Sequence, residues 1–204
     1  MGERFIPFDV TDALEDPLAQ FALWFAEGAA HLSEPDAVAL ATSTPDGHVS
    51  VRVVLLRYLG AHSVGWYTNY DSRKGGELLA NPHAAICWFV PHQGRQVRME
   101  GDVREMTGAA SDAYFASRPR GHQIGAHASH QSQVIGDRGV LELAVDEVAH
   151  RFDGSDVTRP DRWGGYELVP TAVEFWQQRE DRLHDRVAYR RDATMRWRRE
   201  RLSP

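Results

Sequence analysis

The chain has one cysteine in 204 residues, Cys87, so it cannot form an internal disulfide. It has no apolar run of about twenty residues, the length that a membrane-spanning helix needs. No charged segment followed by an apolar one opens the chain, so we expect no secretion signal, no membrane association and a cytoplasmic location. The formal net charge of -6 argues against a nucleic-acid-binding protein.

Two common kinds of cofactor site are also missing from the sequence. No Gly-x-Gly-x-x-Gly pattern follows a predicted strand, so we expect no Rossmann-type dinucleotide site. His122, His127 and His130 lie close together, but no cysteine or carboxylate at ligand spacing accompanies them. A helical arrangement would also separate His122 from His127 by more than a quarter turn. We therefore predict that the protein has no metal site.

Hydrophobic patterning predicts a mainly β protein of the α+β class. Asp16 and Pro17 are typical of a helix start, and apolar residues then recur at helical spacing as far as Leu32. From residue 37 the period changes to two, which indicates strands. We expect one domain over residues 1–204, an antiparallel β-barrel with peripheral helices, with residues 1–15 as a poorly ordered arm. Strands are predicted over 37–42, 48–56, 64–69, 83–90 and 95–105 and again near the C-terminus, and helices over 108–117 and 138–152.

A candidate anion site lies where a strand passes into a short helix near residue 72. Ser72 is a natural N-cap, which places Arg73 and Lys74 in the first helical turn, where the helix dipole disfavours cations. Either these side chains extend into solvent, or they bind an anion such as a phosphate together with the free amides of the helix start. Alternation along the strand 48–56 adds Arg52 as a third cation, on the side opposite the apolar residues, and a phosphate monoester suits two or three cations.

Two further groups of cations stand out. Pro119 should end a helix near Arg118, with Tyr114 one turn back on the same side, so that both could bind a second phosphate. Alternatively, Arg118 only interacts favourably with the helix dipole. Near the C-terminus, Arg182, His184 and Arg186 alternate, which on a strand would put all three on one face, and such a face cannot be an ordinary core face.

Several segments, in family order and with family-like spacing, resemble the pyridoxine/pyridoxamine 5'-phosphate oxidases, the FMN-dependent enzymes that make pyridoxal 5'-phosphate. They are Arg52–Leu56, Tyr67–Lys74, Arg95–Val97, Ser117–Arg120, Gln123–Ala126, Gln131–Ser132, Trp163–Tyr166, Glu174–Trp176 and Arg182–Arg186. The similarity runs from about residue 35 to the C-terminus. It implies an FMN-binding split β-barrel and a homodimer that holds the flavin at the subunit interface.

The resemblance also implies roles for individual residues. Those expected to hold the FMN phosphate and its surroundings are Arg52, Arg73, Lys74 and Ser132. Those expected to contact the rest of the flavin are Val53, Val54, Leu55, Tyr67, Thr68, Gln96, Gln131, Trp176 and Arg186. The substrate phosphate is expected to bind Arg57, Tyr114, Arg118 and His122, with Arg182 and His184 against the pyridine ring as the catalytic pair.

The implied reaction oxidises pyridoxine 5'-phosphate or pyridoxamine 5'-phosphate to pyridoxal 5'-phosphate. A hydride passes from the substrate's C4' to flavin N5, O2 reoxidises the flavin with release of H2O2, and the imine formed from the amine substrate is hydrolysed. The flavin supplies the redox chemistry, and the protein supplies orientation and electrostatics. Arg182 is expected to stabilise negative charge that develops at the substrate oxygen.

The substrate side departs from the family pattern in four places. Arg57 replaces a lysine and His122 replaces a serine, and neither exchange is neutral, since arginine binds in a planar fork and histidine can change charge near neutral pH. Residues 127–130 lack the usual tryptophan, and residues 1–14 carry one cation, Arg4, where the family has a basic arm over the substrate. Two alternatives therefore stay open: a flavin oxidase of the phenazine-biosynthesis type acting on another reduced ring compound, and a non-catalytic flavin- or pyridoxal-phosphate-binding protein.

Overall fold

A computed structural model describes residues 5–30 and 32–204. They form one curled antiparallel sheet of nine strands together with five α-helices. In chain order the elements are α1 Pro17–Ala29, β1 Ala37–Ser43, β2 Val49–Leu55, β3 Tyr58–Leu59, β4 Val64–Asn69, α2 Arg73–Ala80, β5 His83–Val90, β6 Arg95–Glu105, α3 Gly108–Ser117, α4 Arg120–Ala128, α5 Arg138–Arg151, β7 Trp163–Gln177, β8 Asp185–Arg191 and β9 Trp197–Arg201. No helix in these two ranges is long and apolar enough to cross a membrane.

The sheet curls because its longest strand, β7, changes partner along its length. The strand order is β2-β1-β5-β6-β7-β4-β3, while β8 pairs with both β7 and β9. The first part of β7, 163–168, pairs with β4, and its last part, 172–177, pairs with β8. At this change β7 contains one extra residue, Thr171, because Glu100 of β6 pairs with Ala172 and Gly101 pairs with Pro170. A Cβ at Gly101 would lie 2.1 Å from the Val169 carbonyl oxygen, so the close approach of β6 and β7 requires glycine.

Two apolar clusters hold the fold together. The larger lies inside the sheet, where α1 packs its aromatic side chains against the inner faces of β5 and β7. Phe21 meets Trp88 edge to face at 5.7 Å, and Trp24 meets Phe175 in the same way at 5.2 Å. The smaller cluster joins α3, α4 and α5 to the start of β7 through Phe115 and residues around it. These two clusters hold β4 and α3, which both line a cavity.

Most of the predicted elements are confirmed, with boundaries within about two residues. The Asp16 side chain accepts a hydrogen bond from Leu18 N–H at 2.9 Å, and Pro17 is the first helical residue, as expected for this helix start. Helix α4 is not among the predicted elements, because the proline at 119 indicates only the end of the preceding helix. Arg118 in fact caps the end of α3, and Pro119 is the N-cap of α4, since proline is tolerated where a helix begins.

The expectation of a poorly ordered arm over residues 1–15 is wrong for the part that is described. Phe8 and Ala13 are buried in the large core cluster. The Tyr189 hydroxyl donates to the Leu14 carbonyl at 2.7 Å, and Arg199 donates to the Ala13 carbonyl. Residues 1–4, including Arg4, lie outside the described residues, so the expected difference in the basic arm stays a prediction.

The prediction that Arg182, His184 and Arg186 share one strand face is also wrong. Residues 180–182 form a 3₁₀ turn, and β8 begins only at Asp185. Asp181 and Arg182 have φ of +52° and +61°, a left-handed conformation that non-glycine residues adopt at a cost of about 1–3 kcal/mol each. Arg182 is therefore displayed on an exposed turn rather than on the sheet.

Candidate active site

A cavity of about 940 Å³ lies between β2, β4, the start of α2, and the helices α3 and α4. This volume is typical of a site that holds a cofactor and a small substrate. Most of the predicted site residues line it, from four separate parts of the chain. They are Arg52, Val53, Val54, Leu55, Arg57, Tyr67, Thr68, Arg73, Lys74, Tyr114, Arg118, His122, Gln131 and Ser132.

One end of the cavity is the N-terminus of α2. The Ser72 side chain accepts from Gly75 N–H, which confirms the predicted N-cap and places Arg73 and Lys74 in the first turn. A Cβ at Gly75 would lie 1.9 Å from the Tyr70 carbonyl oxygen, so only glycine lets the helix begin this close to the preceding turn. Helix amides, the dipole and two cations therefore converge at one end of the cavity, an arrangement suited to a phosphate.

A buried carboxylate, Glu77, holds two of the cations in place. Its Oε1 accepts from Arg73 Nε at 2.9 Å, and its Oε2 accepts from Ser50 Oγ at 2.6 Å and also from Thr42 Oγ1. Arg52 Nη2 lies 3.4 Å from the same Oε2. Burial alone would raise the pKa of Glu77, but these hydrogen bonds and the charge of Arg52 lower it to about 2. Glu77 is therefore a carboxylate throughout the physiological range.

Lys74 is the third cation at this end, and it bonds only to neutral oxygen atoms within the described residues. Burial is the main reason that the pKa of Lys74 falls to about 8, and the nearby Arg52 charge lowers it further, while Glu77 opposes the shift. Its three donors are thus matched by oxygens that carry no formal charge, so the ammonium charge remains available to an anion. The acceptors are Thr68 Oγ1 at 2.9 Å, Ser72 Oγ at 3.2 Å and Gln131 Oε1 at 2.8 Å.

The other end of the cavity holds Arg118, the residue that ends α3. Its guanidinium carbon lies 4.6 Å from the centre of the Trp163 ring. Its Nη1 is buried and has no hydrogen-bond partner among the described residues. Burial lowers the pKa of Arg118, partly offset by Tyr114. A buried donor without an acceptor costs about 1–3 kcal/mol, so this end of the cavity favours an anionic ligand.

Aromatic rings form one wall between the two ends. Tyr67 and Tyr114 stack with ring centres 3.8 Å apart and planes 11° apart. Trp163 lies nearly parallel to both, 5.5 Å from Tyr67. Such a wall offers the face or edge of a ring system to a planar ligand. Trp163 lies in one of the segments that resemble the family, but no local pattern assigns it to the site.

Arg57 and His122 line the cavity, but Arg57 is already paired. Its Nη1 forms an ion pair with Oδ2 of Asp36, a residue that sequence reasoning missed. His122 lies in the first turn of α4 and is exposed. Ser132, also in the cavity wall, has a φ of +73°, a strained conformation often found at binding sites.

Five predicted site residues do not line this cavity. Three of them, the Trp176 cluster, lie on the outer face of the sheet at the end of β7, where Gln96 and Arg186 flank Trp176 across the strands, and Arg182 and His184 lie in the connection that follows β7. His184 contacts the Trp176 ring, with ring centres 4.5 Å apart, and Arg186 donates to both oxygens of Glu174 at 2.9 and 3.1 Å. The five residues are Gln96, Trp176, Arg182, His184 and Arg186.

The outer face between these two sites is apolar. On β2 the side chains of Val49, Val51 and Val53 are 68–69% exposed, and Arg52 lies on the opposite side of the strand, as predicted. Across the sheet, Val53 pairs with Ala39, which pairs with Cys87. An apolar strip of this kind on a sheet face is typical of a protein–protein contact.

Three features that sequence reasoning missed shape the cavity: the Glu77 carboxylate, the Asp36 partner of Arg57, and Trp163. Glu77 could have been found, since it lies four residues after Arg73 on one helix, a spacing that favours an ion pair. The Asp36–Arg57 pair depends on strand register and has no such signal. No group of three His, Cys, Asp or Glu side chains in 5–30 and 32–204 is arranged to hold a metal ion.

The fold and the cavity together are those of a flavin-dependent oxidoreductase. Residues 26–152 match the family model of pyridoxamine 5'-phosphate oxidase, and residues 163–204 match the pyridoxine 5'-phosphate oxidase C-terminal dimerisation region. The chain therefore belongs to the pyridoxamine 5'-phosphate oxidase family, is an oxidoreductase and uses FMN. The cavity fits FMN: it has cations and helix amides at one end and aromatic rings beside them.

Two relatives named pyridoxine/pyridoxamine 5'-phosphate oxidase illustrate the similarity. That of Cupriavidus metallidurans is 48% identical over 195 residues, covering 95% of this chain and 92% of that protein. That of Sphingopyxis alaskensis is 50% identical over 182 residues, covering 88% of this chain and 83% of that protein.

Solved structures confirm the predicted split-barrel fold. The structure of PhzG from Burkholderia lata, in complex with tetrahydrophenazine-1-carboxylic acid, matches with a TM-score of 0.92 at 32% identity over the whole of both chains. An FMN-binding protein of Nostoc punctiforme related to pyridoxamine 5'-phosphate oxidase matches with a TM-score of 0.74 at 20% identity, covering 92% of this chain and 98% of that chain. This second likeness is one of fold.

Proposed function

We propose that the protein oxidises pyridoxine 5'-phosphate or pyridoxamine 5'-phosphate to pyridoxal 5'-phosphate, with O2 as the electron acceptor. The observation that carries the proposal is the presence of two cationic ends in one cavity. The end at α2, with Arg73 and Lys74, suits the phosphate of FMN. The end at Arg118, with its unpartnered Nη1 among the described residues, then serves the phosphate of the substrate. The names of the relatives at 48–50% identity support the same substrate class.

The residues of the chain would hold and orient the reactants, and the redox chemistry would be that of the flavin. Arg52, Arg73 and Lys74 would hold the cofactor phosphate, with Arg52 and Arg73 oriented by Glu77. The aromatic wall of Tyr67 would exclude water from one side of the ring system.

The active site is proposed to be complete only in a homodimer. The match to a C-terminal dimerisation region supports a dimer. Gln96, Trp176 and Arg186 lie on the outer face of the sheet, outside the cavity of their own chain, and an apolar strip on β2 adjoins that cavity. A partner packed against Val51 and Val53 would bring its own Trp176 cluster over the cavity.

Arg182 and His184 are proposed to act on the substrate across this interface. The Arg182 guanidinium would stabilise negative charge at the substrate oxygen or nitrogen. His184 Nδ1 accepts from the Arg179 N–H at 3.2 Å, so a neutral His184 ring carries its proton on Nε2 and can donate it towards the substrate. The left-handed turn at Arg182 would place the guanidinium away from the sheet and towards the partner.

The experiment that tests the function is anaerobic mixing of the FMN-loaded protein with pyridoxine or pyridoxamine 5'-phosphate while the visible flavin band is followed. We expect rapid bleaching that air reverses with release of H2O2. A flavin band that persists with both compounds would refute the proposed substrate, although not the family.

A second candidate function is oxidation of a reduced ring compound that carries a carboxylate. Two observations favour it: Arg57 is paired with Asp36, which removes one positive charge from the substrate end, and PhzG is similar over its whole length. The same anaerobic assay with a reduced phenazine carboxylate would separate the candidates, since only the true substrate class should bleach the flavin within seconds.

A further inference from the structure

We propose that Asp36 sets the anion preference of the substrate end of the cavity by holding and neutralising Arg57. The inference rests on the function proposed above. It deepens that function by naming the residue that decides how strongly a phosphate-bearing ring compound is favoured over a carboxylate-bearing one. Asp36 does not line the cavity, so it acts through Arg57, which does.

The two residues meet at the open end of the β1–β2 ladder. Asp36 directly precedes β1, and Arg57 lies two residues after β2. Leu56 N–H donates to the Asp36 carbonyl at 2.7 Å, and Arg57 N–H donates to the Gly65 carbonyl of β4 at 2.9 Å. The main chain at both positions is therefore fixed by the sheet, which keeps the two side chains within reach of each other.

Burial makes Asp36 the anchored partner of the pair. Its side chain is 14% exposed, whereas that of Arg57 is 41% exposed and reaches the cavity wall. A carboxylate with so little access to water is costly to leave without a counter-ion. A ligand anion that pairs with Arg57 in place of Asp36 must therefore offset the cost of leaving the Asp36 carboxylate without its counter-ion. Arg57 consequently binds ligand anions more weakly than an unpaired arginine in the same place would.

The balance of charge differs between the two ends of the cavity. At the α2 end, three cations, Arg52, Arg73 and Lys74, face the one carboxylate of Glu77, which leaves an excess of two positive charges. At the substrate end, the described residues provide two cations, Arg57 and Arg118, and the carboxylate of Asp36, which leaves an excess of one. His122 adds a donor there.

This balance predicts a specific effect of ligand charge. A phosphate monoester carries nearly two negative charges near neutral pH, and a carboxylate carries one. The Coulomb penalty from Asp36 is proportional to the charge of the ligand. Removing the Asp36 charge should therefore tighten binding of a phosphate-bearing ligand by on the order of tenfold and of a carboxylate-bearing one by about threefold, and it should leave a neutral ligand unchanged.

The test is a titration of the FMN-loaded protein, wild type and Asp36→Asn, followed through the flavin spectrum. The probes are pyridoxal 5'-phosphate, unphosphorylated pyridoxal and phenazine-1-carboxylate. We expect the Kd of pyridoxal 5'-phosphate to fall about tenfold in Asp36→Asn, that of the carboxylate about threefold, and that of pyridoxal to stay the same. Asparagine keeps the main-chain carbonyl that Leu56 uses, and Asp36→Ser, which also lacks the charge, should give the same gain.

Asp46→Asn is the matched control, since Asp46 lies in the turn at the far end of the same hairpin and pairs with the exposed His48 at 2.8 Å. It should leave all three Kd values unchanged. The proposal is overturned if Asp36→Asn and wild type bind pyridoxal 5'-phosphate equally, if pyridoxal responds as strongly, if Asp46→Asn has the same effect, or if neither protein binds pyridoxal 5'-phosphate. Failure of the proposed function would give a different result. Pyridoxine 5'-phosphate would then leave the flavin oxidised, while the ratio of the Kd values of variant and wild type would still measure the effect of Asp36.

Discussion

Replacing Glu77 by glutamine should remove a pH-dependent part of the stability of this fold. The Glu77 side chain is 5% exposed and accepts hydrogen bonds from Ser50, Thr42 and Arg73, with Arg52 close by. Glutamine has nearly the same shape, but it offers one acceptor oxygen and places an NH2 group against donors. At least one of these partners must then lose its acceptor.

The magnitude follows from the pKa of Glu77. Its folded value is about 2 and its ordinary value is 4.5, so the carboxylate is favoured by up to about 3 kcal/mol in the folded state. Because the folded pKa is depressed, this stabilisation is fully present above pH 4.5 and is lost as the pH falls towards 2. At pH 3.5 between about 1 and 2 kcal/mol of it should already be gone.

The assay is urea unfolding of the FMN-free protein at one fixed protein concentration, because a dimer's apparent stability depends on concentration. Between pH 6 and 7 the difference in unfolding free energy between wild type and Glu77→Gln should be constant, and from pH 4.5 to 3.5 it should narrow. The control is Glu142→Gln on α5, since Glu142 pairs with Arg138 at the same spacing but is 62% exposed. That variant should change stability by no more than about 0.5 kcal/mol. Identical pH profiles for wild type and Glu77→Gln would refute the role of Glu77.

Three other predictions concern separate parts of the structure. Because the pKa of Lys74 is lowered to about 8, FMN affinity should fall as the pH rises from 7 to 9, and the protein should take up a proton when it binds FMN near pH 8.5. Lys74→Met should abolish that proton uptake. Riboflavin, which lacks the phosphate, should show neither the pH-dependent affinity nor the proton uptake. Arg118→Met should raise the KM for a phosphorylated substrate by at least about tenfold and leave the Kd of FMN unchanged; an equal loss of FMN would contradict the two-ended cavity. Gly164→Ala would place a Cβ 2.1 Å from the Tyr70 hydroxyl and should lower the unfolding free energy by about 1–3 kcal/mol, whereas Gly76→Ala in α2, with open space around it, should be neutral or stabilising.

The strands and the cationic end of the cavity could be predicted because each depends on local sequence. Alternation of apolar residues marks β1, β2 and β5, and Ser72 followed by Arg73 marks a helix start with cations in an unfavourable place. The capping bonds of Asp16 and Ser72 then form as expected. The ion-pair partners of the cavity arginines could not all be predicted in this way, because some of them depend on strand register. Asp36 meets Arg57 only because the β1–β2 register brings the two ends of the hairpin together, and the register is set by the whole sheet.

The C-terminal segment shows how a local pattern can mislead. Arg182, His184 and Arg186 alternate as strand residues do, but the chain leaves β7 and must reverse direction before β8 begins. The reversal is made by the left-handed residues Asp181 and Arg182, where a glycine would be the usual sign of a turn. Without that glycine, periodicity extends the strand too far. A strained non-glycine turn that displays an arginine is more common at functional sites than elsewhere, which agrees with the role proposed for Arg182.

The valines of β2 show what apolar alternation does and does not reveal about a strand. Val49, Val51 and Val53 form the strand's apolar face, yet in the single chain they are among its most exposed apolar side chains. Alternation of apolar residues predicts which face of a strand is buried, but it does not predict whether the same chain or a partner buries it. Here the inner side of the strand carries Arg52, which belongs to the cavity, so the apolar face must be covered from outside. In the homodimer proposed above, a partner at that position would lie next to the cavity that Val51 and Val53 also line, and its Trp176 cluster would complete the site. On that proposal, the exposed valines and the incomplete site are two consequences of one interface.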